Sequence, residues 1–149
     1  MKATHFFAIA CLFSIAGTVW GQAPKSDRFT AQTGAVKDAK TGLEWTQSDN
    51  GTDINWNEAT AYCSNKGPGW KLPSNDDLLN IYDKSASVSC NASNPCRTSP
   101  LFQLSGHIFW TNELNASSQA WLFVLTMGIR DPSSVEFRFG ARALCVRRP

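Results

Sequence analysis

The residues of this chain that could do chemistry are few, and their spacing limits what they could do. His107 is the single histidine beyond the N-terminal segment, and nothing beside it identifies a base-activated nucleophile. A lone histidine at a strand edge reads as a hydrogen-bonded structural residue. Asp76 and Asp77 form a carboxylate pair in sequence, but neighbours on a helix point in different directions, so helix capping explains them better than acid–base work. No catalytic residue is therefore assigned. Cys63, Cys90, Cys96 and Cys145 lack the close cysteine pairs of a four-thiolate zinc site. Their even number, in a chain read as exported, favours disulfides, and three pairings are open.

Binding chemistry is better represented. Arg130, Arg138, Arg142, Arg147 and Arg148 crowd residues 129–149 against only Asp131 and Glu136. Guanidinium groups hold sulfate, carboxylate or phosphate through paired hydrogen bonds, so Arg130, Arg138 and Arg142 become candidate ligand-binding residues. The competing reading is a solvated sheet face whose charges discourage edge aggregation. Tryptophan is the second feature, because an exposed indole is a natural surface for sugar stacking. Trp45, Trp56, Trp70 and Trp121 read as core, which leaves Trp110 as the exposed candidate. Calcium needs six or more oxygen ligands, and no contiguous segment assembles them: Asn94-Pro95-Cys96 lacks a carboxylate. No metal and no cofactor are expected.

These residues sit in a chain of 149 residues that begins with a targeting pattern. Lys2 is a short positive start, Phe6 to Val19 is apolar, and Gly21 offers a small residue for cleavage, so residues 1–21 read as a signal peptide. That run is shorter than the roughly 20 apolar residues needed to cross a bilayer. Residues 22–34 read as a flexible lead-in and residues 35–149 as one domain, large enough for a single core. Without Lys2 the chain carries 13 basic and 12 acidic residues. That near balance points to no particular partner, and no nucleic-acid partner is expected. Location outside the cytoplasm follows, periplasmic or secreted, with no transmembrane segment after residue 21.

Local patterns place the elements. Ala35–Lys37 and Leu43–Thr46 read as a hairpin around the turn chemistry of residues 38–42, with Leu43 and Trp45 facing the core. Asn55 caps a helix whose third position, Glu58, completes a capping box; Trp56, Ala59, Tyr62 and Cys63 share one face, and Gly67-Pro68 stop it near Lys66. Ser74 caps a second helix with Leu78, Leu79, Ile81 and Tyr82 as a wide apolar face. Residues 84–106 read as a long loop pinned by Cys90 and Cys96. His107–Thr111 is a strand, residues 112–118 a turn, Ala120–Met127 a central strand covered on both faces, and Gly128–Ser134 a turn. Val135–Phe139 and Ala143–Val146 read as the last two strands.

Six blocks in order, TGLEW at 41–45, NWNEATAYC at 55–63, GWKLPSNDDL at 69–78, IFWTNE at 108–113, AWLFVLTMG at 120–128 and ALCVRR at 143–148, resemble the Lcl C-terminal domain family. That family is a bacterial exported domain named after a collagen-like adhesin. Lys71 departs from its usual arginine, and Thr111-Asn112-Glu113 from its usual serine-rich run. The resemblance implies an α+β, C-type-lectin-like fold, with two helices packed on a small, mostly antiparallel twisted sheet. It also implies that Cys63 pairs with Cys145, leaving Cys90 for Cys96.

The expected function is a non-catalytic binding module with an anionic polysaccharide or another envelope or extracellular ligand. The alternative is a periplasmic protein-interaction or assembly module without glycan affinity. A third reading is an enzyme: Trp70–Ser74 also resembles the formylglycine-generating oxidases, which share the lectin-like fold but are much longer and use reactive cysteines.

Overall fold

The computed structural model describes residues 27–91 and 93–149. The signal peptide read over residues 1–21 lies outside them. The described chain is α+β, with two helices, two four-stranded sheets and two disulfides.

The first sheet is a meander closed by the end of the chain. Strand β1 (Phe29–Gln32) pairs antiparallel with β2 (Ala35–Asp38), and β2 with β3 (Leu43–Thr46), as the hairpin reading expects. β1 falls inside the stretch read as a flexible lead-in. Its backbone pairs with β2 although its side chains are mostly exposed, so burial did not reveal it. All four residues of β3 are buried. Its far side is taken by β8 (Val146–Arg147), which gives the order β1-β2-β3-β8.

Both helices begin as their caps dictate. α1 (Trp56–Ser64) starts at Asn55, whose side chain accepts from the Glu58 N–H while Glu58 accepts from the Asn55 N–H. It ends at Ser64, slightly before the expected stop, and Gly67, at φ 119°, lies in the turn that follows. α2 (Asn75–Ile81) has the same reciprocal cap between Ser74 and Asp77. Its apolar face is narrower than expected. Leu78 and Ile81 are buried, whereas Leu79 is 52% exposed, because a helix of two turns resting on a sheet buries one stripe only.

The second sheet has the order β6-β5-β4-β7 and holds four corrections. β4 (Ile108–Leu114) runs past Thr111 into the first residues of the expected turn, with a register shift between Trp110 and Leu114. β5 (Gln119–Val124) is central, as expected. Gly128, at φ 71°, closes a turn, and residues 129–134, read as a turn, form the edge strand β6 (Ile129–Ser134), paired with β5 over six residues. Its polar residues and Pro132 suit an edge whose outer N–H groups need no partner. Val135–Phe139, read as a strand, is not one. β6 already closes that edge, and the segment turns instead, with the Phe137 N–H on Ser134 O, and wraps over the start of α1. The last strand is likewise divided. β7 (Ala141–Arg142) pairs parallel with β4, residues 143–145 cross between the sheets, and β8 follows.

The helices lie on opposite faces of this sheet. Phe109 and Phe123 pack with Leu78 and Ile81, while Trp110, Ala120 and Leu122 pack with Ala59 and Cys63. Where β6 begins, a Cβ built on Gly128 would stand 2.7 Å from the Tyr82 ring, so this turn seats directly on the end of α2. The disulfides are Cys63–Cys145 and Cys90–Cys96, the pairing that the resemblance implies, with Cα separations of 5.4 and 5.8 Å.

The bridges span 82 and 6 residues. In the chain-entropy account they contribute about 4–5 and about 2 kcal/mol respectively. Replacing Cys63 and Cys145 by alanine should lower the urea midpoint far more than replacing Cys90 and Cys96. Equal losses would show that unfolded-chain entropy is not what the long bridge supplies.

Candidate functional site

Trp110 does not offer a ligand surface. It is fully buried, its indole Nε1 donates to Ile54 O at 2.8 Å, and it meets the Phe137 ring edge-on. Trp56 makes the equivalent bond to Thr111 O at 2.8 Å, so the two indoles lock the lead-in of α1 to β4. The apolar run around Trp110 carried this signal: Phe109 and Trp110 face opposite cores, which leaves neither for solvent.

Nor do the arginines gather on one surface. Arg138 grips both Glu58 oxygens at 2.6 Å, fastening the 135–140 segment to the first turn of α1. Arg142 pairs with Asp53 and reaches Ser105 Oγ at 3.3 Å. Arg147 binds Glu44 at 2.9 Å and lies over the Trp70 ring. Arg28 holds the buried Asp38 through two bonds of 2.7 and 2.8 Å. Arg148 reaches only Thr41 O, at 3.4 Å. Arg130 is different: it is exposed, and among the described residues its guanidinium meets only the face of Trp121, 4.7 Å from the ring centroid.

The shifted carboxyl groups follow from these pairs. Burial pushes Asp38 up, but the bonds from Arg28, Thr41 and the Lys40 N–H outweigh it and hold the group below its ordinary value. Asp53 is lowered by the Gly140 N–H and by Arg142, and Glu58 by Arg138 and the Asn55 N–H. Asp83 is lowered by the Ser85 hydroxyl and N–H. Burial, with some help from Arg142, lowers His107 and favours its neutral form. These are the directions of groups that serve as tethers. Among the described residues no three His, Cys, Asp or Glu side chains converge as a metal cage.

Charges without partners collect at another place. Between α2 and the β5–β6 face is an open cleft of about 480 Å³, lined by Asn75, Asp76, Leu79, Phe123, Ile129 and Arg130. Glu113 on β4 accepts from the Asn75 backbone N–H and Nδ2, both at 2.8 Å. Asn75 is 5% exposed, and its buried Oδ1 has no partner among the described residues. Asp76 is exposed, and among the described residues its carboxylate takes part in no ion pair or hydrogen bond. Sequence reasoning named Arg130 but missed the rest of this site. It gave both Asp76 and Asp77 to capping, although only the third helical position can close a capping box, and that position is Asp77.

The comparisons with known proteins agree with the block order. The model of the Lcl C-terminal domain matches residues 34–147. Among solved structures, the crystal structure of botrocetin is similar, at 13% identity and a TM-score of 0.36, covering 83% of this chain and 97% of that one. No curated protein matches.

The titrating groups all weaken the folded state in acid. Asp38, Asp53 and Glu58 have folded values below their unfolded ones, so their contribution is complete above about pH 4 and is lost as pH falls through the folded values. His107 resists protonation when folded, so its contribution is lost as pH falls below about 6.5. The urea midpoint should therefore fall from pH 7 to pH 3. Asp38→Asn should flatten the acidic limb and His107→Gln the limb between pH 7 and 5. A midpoint constant over that range would contradict this account.

Proposed function

Because the chain belongs to the Lcl C-terminal domain family, we propose that it works outside the cytoplasm as a non-catalytic binding module whose ligand sets an anionic group on Arg130. One observation carries this reading: Arg28, Arg138, Arg142 and Arg147 are each tied to a carboxylate, whereas Arg130 and Asp76, without ion pairs among the described residues, line one cleft. A residue poised for acid–base chemistry would combine a perturbed pKa with a place in that cleft. The perturbed groups, Asp38, Asp53, Glu58, Asp83 and His107, do not line it. An anionic polysaccharide is one ligand class that supplies such a group to Arg130.

A second reading, a protein-interaction module without glycan affinity, is favoured by the exposed Leu79 and Ile129 on the cleft rim and by Met127 on the turn before β6. Heparin chromatography at rising salt separates the two. Under the polysaccharide reading the chain elutes above physiological ionic strength, about 0.15 M. Arg130→Gln then elutes at clearly lower salt. Arg138→Gln and Arg142→Gln leave elution nearly unchanged, because those guanidinium groups already hold carboxylates. Elution of the unmodified chain below physiological salt overturns the polysaccharide reading in favour of a protein partner.

A further inference from the structure

We infer that the α2–β6 cleft takes a zwitterionic ligand with an apolar side group, a free α-amino acid. This rests on the binding-module reading and names the ligand chemistry of the same cleft. Arg130 stands on the β6 wall and Asp76 on the α2 wall, and no ion pair within 4.0 Å joins them. Opposite charges that share a cleft without meeting leave room for a ligand that answers both. The carboxylate of that ligand binds the guanidinium as a charge-assisted pair. Its ammonium is held by the Asp76 carboxylate, which is exposed on the α2 wall.

The rest of the lining fits such a group. Leu79 and Ile129 form apolar rims, and Phe123, 2% exposed, lies at the base. The α2 backbone contributes nothing, because the Asn75 N–H is bound to Glu113 and the Asp77 N–H to Ser74. A stacked sugar ring fits less well. The nearest indole, Trp121, already has the Arg130 guanidinium on its face. A volume of about 480 Å³ lies within the roughly 300–1,000 Å³ usual for small-ligand sites and admits one or two residues.

Titration of the whole chain with leucine, followed by amide chemical shifts, tests this against three controls: 4-methylpentanoate, which lacks the amine, 3-methylbutylamine, which lacks the carboxylate, and glucuronate. Leucine should bind about tenfold more tightly than either single-charge analogue. Shifts should centre on residues 75–79 and 128–131. Arg130→Gln should reduce leucine to the level of the amine, and Asp76→Asn to the level of the carboxylate. Both side chains are exposed, so neither change threatens folding. The inference is overturned if leucine binds no better than the single-charge analogues, or if glucuronate binds more tightly. Heparin retention that depends on Arg130, with no preference for leucine, would overturn the zwitterion and keep the polysaccharide reading. Leucine binding without heparin retention would do the reverse.

Discussion

The fold depends on the path of residues 141–147 and on the Cys63–Cys145 bridge that fixes it. This segment leaves one sheet as β7 and joins the other as β8, so it is the seam between them. Ala141 and residues 143–146 are buried, and much of their backbone is bonded to segments distant in sequence. Ala143 exchanges bonds with the backbone and side chain of Asn50, Thr46 binds Cys145 through both backbone and hydroxyl, and Val146 pairs with Lys71. A backbone buried this deeply is tolerable only because those bonds are made. The bridge then anchors α1 to the seam, beside a core in which Val36 and Trp45 of the first sheet share one cluster with Leu78 of α2 and Phe109 of the second.

Four arginines serve that same assembly. Arg28, Arg138, Arg142 and Arg147 each join segments that are distant in sequence or separated by a turn, through carboxylates on Asp38, Glu58, Asp53 and Glu44. The Arg138 and Glu58 side chains are both well exposed, and water screens such a pair strongly. Asp38 is fully buried, so the bidentate grip of Arg28 neutralises a charge that water cannot reach. Three of the five arginines of the C-terminal stretch thus serve as internal tethers. The asymmetry that matters for recognition lies in the cleft, where one cation and one anion have no such employment.

Local chemistry explains what could be read from sequence. Capping boxes are decided within four residues, so Asn55 with Glu58 and Ser74 with Asp77 announced their helices. The β2–β3 hairpin was equally legible from its turn residues. Less legible were features decided by neighbours across the sheet. β6 carries little apolar residue and a proline, yet it pairs fully because β5 offers it an edge. Val135–Phe139 alternates like a strand but finds no edge left. The site suffered most from this blindness. Whether an arginine is free or bound depends on where a carboxylate far along the chain ends up, and Glu58 lies 80 residues before Arg138. Trp110 was misjudged for the same reason, since its partner Ile54 is 56 residues away.

The contact between Gly128 and Tyr82 has a mechanical consequence. The ring closing α2 rests against bare backbone at the turn that launches β6, so the two walls of the cleft are set against each other like fixed jaws. Their gap is fixed before any guest arrives. A guest entering such a gap has little protein reorganisation to drive, and its free energy of association is not drained by closing a loop or repositioning a helix. Selectivity then comes from how well a molecule spans a given width, and dwell time depends on the fit between its two ends and the two walls.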